Sequence, residues 1–376
     1  TDDQLSFSTV GDDGTSIWIC DLASGDQERV LQPIKSLVRY VWSPDRKFIF
    51  YAADAEEAKK EPDYELLTSL EDRLSDWTAT RQLYVASVSD GIVATLTGTG
   101  DFAVDEFALS REGDKLIFTR RIPKLGRPYY MTEFWIDDIR KGASELILTQ
   151  PIAFESRPQN LVWLPGGRYV AYTSAAIPTP ESDSVQQSMG DIDIWLLDLV
   201  SKTSRNLNGD TKWTVSEENG AMYWNAFERE LWFTAEVGCE RQLMTCEPLS
   251  ASPRFNVIPL KLPFINEITL SGTGKKLAFT ASSPVVTEAL YVYDPGTRRE
   301  STVLDPKDPL KTLSQKGKNP TFLYKRYTNA LTPYEAMLEI GLKKNKDGSI
   351  QVGHALNPGQ NNLATAVWFT GKDKNG

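Results

Sequence analysis

Charged and polar residues recur at one position of a repeated strand, three residues before a tryptophan or its equivalent. The residues at this position are Arg39, Glu106, Asn160, Glu267 and Thr365. Carboxylates that face arginines can do acid–base chemistry without a metal ion. We therefore expect catalytic candidates among the charged residues at and near this position, which are Glu106, Arg39, Arg157 and Glu267.

Further polar and aromatic residues lie close by in the sequence and predict a ligand-binding surface. These are Tyr40, Asp105, Asn160, Asn219, Tyr223 and Asn266. Aromatic and polar side chains together suit an organic ligand or a peptide segment. The charged residues can instead pair with one another as a plug of salt bridges that fills a narrow channel. The sequence leaves both interpretations open.

Motifs for metals and cofactors are missing from the sequence. It contains a single histidine, His354, and neither a C-x-x-C nor an H-E-x-x-H motif. The Gly274-Lys275 pair lacks the upstream glycine of a phosphate-binding loop. We therefore expect no metal and no cofactor.

The number and spacing of the cysteines indicate the cellular compartment of the protein. Cys239 and Cys246 can form a disulfide across a hairpin or remain reduced. Three cysteines are an odd number without metal-type spacing, which favours reduced thiols and a cytoplasmic protein. A periplasmic or secreted protein that has lost its signal peptide stays open as the alternative.

An internal repeat supplies the elements that position these residues. Each copy reads as an inner strand, an aromatic-ended strand, an acidic strand and an outer strand. The aromatic-ended strands are LSF at 5–7, FIF at 48–50, LIF at 116–118, VAY at 170–172, LWF at 231–233 and LAF at 277–279. Their last residues lie 43 to 68 residues apart, the length of a four-stranded propeller blade with insertions.

The repeat predicts an all-β fold, a seven-bladed β-propeller forming a single domain over residues 1–376. Six blades are the alternative if 306–362, a poor match to the repeat, are an appendage and not a divergent last blade. The first copy lacks its inner strand, and ATAVWFTGKDKNG at 364–376 carries the Val-Trp pair of the other inner strands. We expect strands from both termini to share one blade and close the ring, which removes free sheet edges.

Three insertions are predicted between the aromatic-ended and acidic strands, at 54–81, 120–133 and 175–191. The first has helical spacing of its leucines, at 66, 67, 70 and 74. Because all three leave the same kind of loop, we expect them on one face of the ring. They either form a lid over the channel or reflect the free variation of loop length.

The segment SPDRKFIF at 43–50 resembles the Ser-Pro-Asp-Gly-Lys hallmark of TolB-type propeller repeats, with Arg46 where the family has glycine. The stretch 81–118 is similar to the propeller of prolyl-oligopeptidase-like peptidases. The resemblance implies the propeller without the peptidase activity, because no G-x-S-x-G nucleophile motif occurs. Oligogalacturonate-lyase-like propellers share the repeat but use a His-rich metal site, which one histidine cannot build.

The net charge and the hydropathy of the sequence argue against two classes of function. The formal net charge of −10 argues against a nucleic-acid groove, and no apolar stretch approaches a membrane span. We expect a propeller that binds a protein, a peptide or a small organic ligand at the channel mouth. The alternative is a metal-independent enzyme of cyclase, isomerase or lyase type. An open funnel lined by Arg39, Glu106 and Arg157 favours the enzyme, whereas mutual salt bridges favour the binding module.

Overall fold

The computed structural model describes residues 4–54, 80–97, 102–123, 130–151, 157–175, 191–209, 211–216, 222–283, 286–304, 342–344 and 350–352. Every regular element within these ranges is a β-strand, so the all-β prediction is confirmed there. None of the described segments is a helix with the length and hydrophobicity needed to cross a bilayer.

The strands follow the predicted repeat. Repeats 1 and 2 contain β1 (Gln4–Gly11), β2 (Gly14–Asp21), β3 (Gln27–Arg29), β4 (Leu37–Trp42), β5 (Phe48–Asp54), β6 (Arg81–Ser87) and β7 (Val93–Thr95). Repeats 3 and 4 contain β8 (Ala103–Leu109), β9 (Lys115–Pro123), β10 (Tyr130–Asp138), β11 (Ala143–Pro151), β12 (Gln159–Trp163), β13 (Tyr169–Ala175), β14 (Ile192–Asp198) and β15 (Thr203–Asn206). Repeats 5 and 6 contain β16 (Thr214–Val215), β17 (Met222–Asn225), β18 (Glu230–Val237), β19 (Glu240–Cys246), β20 (Phe255–Val257), β21 (Phe264–Leu270), β22 (Leu277–Ser283), β23 (Val286–Asp294) and β24 (Arg299–Leu304).

Contacts divide the chain into two bodies. The first comprises Thr1–Ala281 with Leu290–Thr302, and the second comprises Ser282–Ala289 with Val303–Gly376. In the second body, β25 (Leu342–Lys344) and β26 (Ile350–Val352) form an antiparallel hairpin inside the segment 306–362. The rest of that stretch, the closing segment 364–376 and His354 lie outside the described residues. The single-domain prediction therefore stays a prediction.

Among the described residues of the first body, parallel bridges join the backbones of neighbouring repeats at two places. The acidic strand β6 bridges in parallel to the inner strand β8 through Arg81 and Ala103. The equivalent strands β19 and β21 bridge through Arg241 and Phe264. Repeats 2 and 3 therefore share one sheet, as do repeats 5 and 6, whereas β12–β15 form a four-stranded sheet of their own.

The core lies between the repeats because the aromatic-ended strands β5, β9, β13 and β18 are buried on both faces, whereas β1 is largely exposed. In β5, Ile49 packs in a cluster with repeat 1, and Phe50 packs in a cluster with repeat 3. In β9, Phe118 faces repeat 2, and Ile117 faces repeat 4. Side chains alternate between the faces of a strand, so burial on both faces requires the continuous apolar runs seen in the sequence.

The insertions predicted at 54–81 and 175–191 lie mostly outside the described residues. The insertion predicted at 120–133 is in large part regular strand. Residues 55–79, with the predicted helical leucines, and residues 176–190 are the parts that lie outside. Between 120 and 133, β9 extends to Pro123 and β10 begins at Tyr130, and these two residues pair in the ladder.

The turn between inner and aromatic-ended strands explains the Ser-Pro-Asp motif. The Ser43 hydroxyl donates to Asp45 (2.7 Å) and accepts from the Phe48 amide (2.9 Å). Arg46, which stands where the related repeats have glycine, adopts a left-handed φ of 62°. The equivalent Gly274 has a φ of 73°, and a Cβ there would lie 2.3 Å from the Asn225 side chain.

Candidate functional site

Irregularities in the inner strands position the candidate residues. The ladder between inner and aromatic-ended strands shifts register between Leu37 and Arg39, and between Val104 and Glu106. A third shift lies between Gln159 and Val162. A bulge places an extra residue in one strand and re-aims the side chains beside it. Asp105 is the extra residue of β8, and the backbone of Asn160 is left-handed, with a φ of 53°.

On three aromatic-ended strands, a threonine hydrogen-bonds to a candidate residue of the neighbouring inner strand. Thr119 Oγ1 accepts from the Glu106 amide (3.2 Å), and Thr280 Oγ1 accepts from the Glu267 amide (3.3 Å). Thr173 Oγ1 accepts from the Asn160 side-chain amide (3.1 Å). Each threonine directly follows the aromatic residue of LIF, LAF or VAY, which is a sequence signal that the spacing argument did not use.

An ion pair connects two successive inner strands. Arg39 of β4 pairs with Glu106 of β8, and its guanidinium also lies over the Phe107 ring, 5.6 Å from the centroid. Burial lowers the pKa of Arg39, while the charge of Tyr223 raises it. The sequence predicted both charged residues, and the structure brings them together as partners.

A second group surrounds the bulged Asp105. Arg121 Nη2 lies 3.6 Å from Asp105 Oδ1, and Arg157 Nη1 lies 3.7 Å from the same oxygen. Sequence reasoning missed Arg121, although an arginine within a buried strand signals a charged partner, because burying an unpaired charge is costly. Arg39, Asp105, Glu106, Arg121 and Arg157 are called the charge cluster below.

Two residues of repeats 5 and 6 extend this environment. Burial raises the pKa of Tyr223 on β17, whereas a hydrogen bond with Thr269 on β21 and the charge of Arg39 lower it. Arg39 and Tyr223 therefore lie close together although repeats 3 and 4 separate them in the chain. Side chains from repeats 2 to 6 contribute to one environment.

The other predicted site residues are not members of the charge cluster, and some of them contact residues outside it. Tyr40 Oη lies 3.2 Å from Ser6 Oγ of β1, and Tyr40 packs with the core between repeats 1 and 2. Asn160 is buried against Thr173. On β21, Asn266 is half-buried and Glu267 is exposed. Asn219 lies outside the described residues.

The side chains of the charge cluster differ in the fraction of their surface that is exposed to solvent. The side chains of Asp105 and Glu106 are 2% and 7% exposed, and Arg121 is 6% exposed. Arg39 and Arg157 are 46% and 32% exposed. The carboxylates thus lie beneath two accessible guanidiniums, an arrangement suited to binding hydrogen-bond acceptors and anions.

Metal ligands and thiols do not add chemistry in the described part of the chain. It holds no group of three or more His, Cys, Asp or Glu side chains arranged to hold a metal ion. Cys20, Cys239 and Cys246 are free thiols. Cys246 lies at the far end of β19 from the turn containing Cys239, and burial raises the pKa of the Cys246 thiol to about 12.

No family model matches the sequence, and no curated protein matches it. Solved structures do match. A puromycin-hydrolysing peptidase from Mycobacterium tuberculosis is 13% identical with a TM-score of 0.57, over 81% of this chain and 45% of that chain. The β-propeller domain of the Trilobed protease from Pyrococcus furiosus is 11% identical with a TM-score of 0.54, over 82% and 79%. An oligogalacturonate lyase in complex with manganese is 12% identical with a TM-score of 0.57, over 81% and 74%.

At these identities the likeness concerns the fold. The chain has the fold of a β-propeller, and the predicted resemblance is confirmed at the level of the fold.

Proposed function

We propose that this β-propeller is a binding module whose ligand docks at the charge cluster and is released unchanged. The observation that carries the proposal is the mutual pairing of the cluster. Arg39 pairs with Glu106, and Asp105 pairs with Arg121 and Arg157. Charges that neutralise one another across repeats stabilise the inner strands and leave neither carboxylate of the cluster poised for proton transfer.

The exposures support the same proposal. A ligand that approaches the cluster meets Arg39 and Arg157 before it meets either carboxylate. Tyr223, half-buried nearby, offers an aromatic ring and a hydroxyl. An arginine fork beside an aromatic ring suits a small organic ligand or a peptide segment with acceptor groups.

A metal-independent enzyme of lyase type is the second candidate, and the fold likeness to an oligogalacturonate lyase favours it. Glu106 would be its proton acceptor. That role requires Glu106 to separate from Arg39, and a buried carboxylate without its cation is costly. The ion pair therefore favours binding over catalysis.

The test distinguishes a compound that the protein only binds from a compound that it converts. The purified protein is incubated with a small-molecule and peptide extract of its source, and retained and depleted compounds are identified by mass spectrometry. We expect one compound retained unchanged and in amounts no greater than the protein, with retention lost in Arg157→Gln. Arg168→Gln, which alters an arginine paired with Asp198 outside the cluster, is the matched control. Depletion of a compound beyond the amount of protein, abolished by Glu106→Gln, would establish the enzyme instead.

We also propose that the ring has seven blades and closes by pairing 364–376 with β1. In its support, β1 pairs with β2 among the described strands, and repeat 1 has three described strands where repeat 4 has four. The Trilobed protease neighbour is described as having an open velcro topology, so closure needs a direct test. Deleting 364–376 should lower the thermal midpoint and open β1 to hydrogen exchange. Unchanged exchange in β1 would contradict closure. A cytoplasmic location stays a prediction, supported by three free thiols.

A further inference from the structure

An exposed aromatic ring stands beside basic side chains where three turns of repeats 5 and 6 meet. Phe227, in the turn between β17 and β18, is 47% exposed. The ammonium of Lys275, in the turn between β21 and β22, lies 5.9 Å from the centroid of its ring. Gly296, in the turn between β23 and β24, lies against the same ring, since a Cβ added there would be 3.8 Å from it. The three turns therefore hold Phe227 at the surface with a cation beside it.

Two arginines of these turns have strained backbones. Arg229, in the same turn as Phe227, has a φ of 62°, and Arg298, in the same turn as Gly296, has a φ of 53°. A left-handed φ is costly for a residue with a Cβ. The same turns of other repeats place glycine at the left-handed position. These glycines are Gly113, Gly167 and Gly274 for the turn of Arg229, and Gly25, Gly91 and Gly142 for the turn of Arg298.

Internal contacts of the two side chains do not offset this strain. Both arginines are exposed, and neither side chain forms a hydrogen bond or an ion pair with another described residue. Lys202, which is also left-handed, differs because its ammonium pairs with Glu145. Backbone strain is concentrated at sites that bind or react. The strain therefore indicates that Arg229 and Arg298 serve a partner outside the chain.

Positive charge predominates where the three turns meet. Among the charged residues of the turns and of the positions that flank them, Lys276 and Asp294 pair with each other at 2.6 Å. The remaining charges are the basic Arg229, Lys275, Arg298 and Arg299 and the acidic Glu228 and Glu230. This positive excess lies in a chain whose formal net charge is −10. The name turn patch is used below for Phe227, Arg229, Lys275 and Arg298.

From this arrangement we infer that the turn patch docks an acidic segment of a partner protein, with an apolar side chain of that segment against Phe227. Charge complementarity favours an acidic segment, because interfaces place charges of opposite sign together. A short segment needs only the turn patch, whereas a nucleic acid or an anionic membrane would also face the negative charge of the rest of the chain. The inference goes beyond the proposed function, because the turn patch contains no residue of the charge cluster.

Replacing either arginine by glycine should change stability and binding in opposite directions. Arg229→Gly and Arg298→Gly relieve the strain of a left-handed turn, so the thermal midpoint should rise. Both variants also remove a charge that the partner meets, so binding should weaken. Arginines that serve the fold alone would give the reverse result, a lower midpoint without a loss of binding.

The test measures the fluorescence anisotropy of labelled peptides titrated with the full chain. The acidic probe is a short peptide in which glutamates alternate with leucines. Versions with glutamine or lysine in place of glutamate are its neutral and basic counterparts. Vesicles that contain phosphatidylglycerol and a single-stranded oligonucleotide represent the other two classes of anionic partner. Circular dichroism and thermal unfolding show that each variant is folded.

Repeat 2 supplies matched controls for the variants of the turn patch. The variants are Arg229→Gly, Arg298→Gly and Phe227→Ala. Arg46→Gly removes an arginine with a left-handed φ of 62° from the turn between β4 and β5. Phe48→Ala removes a ring that is 41% exposed at the end of that turn. The controls therefore change the same residue types outside the turn patch.

We expect the acidic peptide to bind, and its neutral and basic versions to bind at least about tenfold more weakly at low ionic strength. Each variant of the turn patch should weaken binding by about threefold to tenfold, the range for a single exposed charge or a partly exposed ring. Arg46→Gly and Phe48→Ala should leave binding unchanged. Added salt should weaken binding of the acidic peptide.

Several outcomes would overturn the inference. They are equal binding of the neutral peptide, equal losses in the variants of the turn patch and in the controls of repeat 2, no binding of the acidic peptide, or tighter binding of the vesicles or the oligonucleotide. A loss in Arg157→Gln while the variants of the turn patch bind normally would place the peptide at the charge cluster. That result would reject the turn patch and leave the proposed function standing.

Discussion

Arg39 and Glu106 form an ion pair between the inner strands of two successive repeats, and the two partners differ sharply in exposure. Glu106 is buried, whereas nearly half of the Arg39 side chain is exposed. Arg39 can replace a lost partner with water, but Glu106 cannot. The consequences of removing either partner are therefore unequal.

We expect Arg39→Met to destabilise the fold by about 2 to 3 kcal/mol, because Glu106 stays buried without its cation. Glu106→Gln should cost about 1 kcal/mol, because an exposed guanidinium regains hydration. Urea denaturation of both single variants and of the double variant measures the coupling. The exposed pair Arg168–Asp198 provides the comparison, with an expected coupling below about 1 kcal/mol. Equal costs for the two single variants would contradict this account.

The threonine opposite the bulge should matter for stability. Thr119 is fully buried, and its hydroxyl accepts from the Glu106 amide. Thr119→Val keeps the shape but leaves that amide unsatisfied, so we expect a loss of about 1 to 3 kcal/mol in denaturant titration. Thr119→Ser keeps the hydroxyl and should lose less. A valine variant as stable as the threonine protein would show that the hydrogen bond contributes little.

Arg46 is a position where substitution should stabilise the protein. Its left-handed backbone is strained for a residue with a Cβ, and related turns place glycine there. Arg46→Gly should raise the free energy of unfolding by up to about 1 kcal/mol, reduced by loss of the contact with Gln4. The matched opposite change is Gly274→Ala, where the added Cβ collides with Asn225. Thermal midpoints should therefore move in opposite directions.

Low pH should reduce the stability of the fold, because it protonates two carboxylates that form ion pairs at hairpin ends. Lys276 lowers the pKa of Asp294 to about 2, and Arg168 lowers the pKa of Asp198. Because the folded pKa lies below the unfolded value of about 4, these carboxylates stabilise the fold above pH ~4. That contribution is lost as the pH falls towards 2. Urea midpoints of Asp294→Asn and the unchanged protein should converge over this range. A constant difference would contradict the linkage.

Asp137 should show the reverse dependence. Burial raises its pKa, with a hydrogen bond from Ser144 lowering it, and Oδ1 has no hydrogen-bond partner among the described residues. A raised folded pKa means a cost above that pKa that disappears below the unfolded pKa. Asp137→Leu introduces the residue type of Leu197, which is buried at the same place in repeat 4, and should therefore stabilise at pH 7 and less so at pH 3. Chemical denaturation at both pH values measures the difference.

The repeat and its strands could be predicted because aromatic-ended strands buried on both faces must be continuous apolar runs. The site was harder to predict for a local reason. A bulge moves a side chain from one face to the other, so counting back from a tryptophan finds the neighbourhood and not the direction. Tyr40 thus packs toward repeat 1, while Asp105 joins the cluster. Arg121 lies on the neighbouring strand, where spacing within the inner strand gives no information.

The two parallel bridges join four repeats of the first body into two pairs. Repeats 2 and 3 share a sheet, and so do repeats 5 and 6, whereas repeat 4 has its own sheet. Among the described strands, the seams beside repeat 4 have no bridging strand pair and are held by side chains of two core clusters. The Arg157–Asp105 contact crosses one of these seams. Repeats 3 and 4 are therefore coupled through side chains, so a substitution at this seam should alter their coupling without breaking a strand ladder.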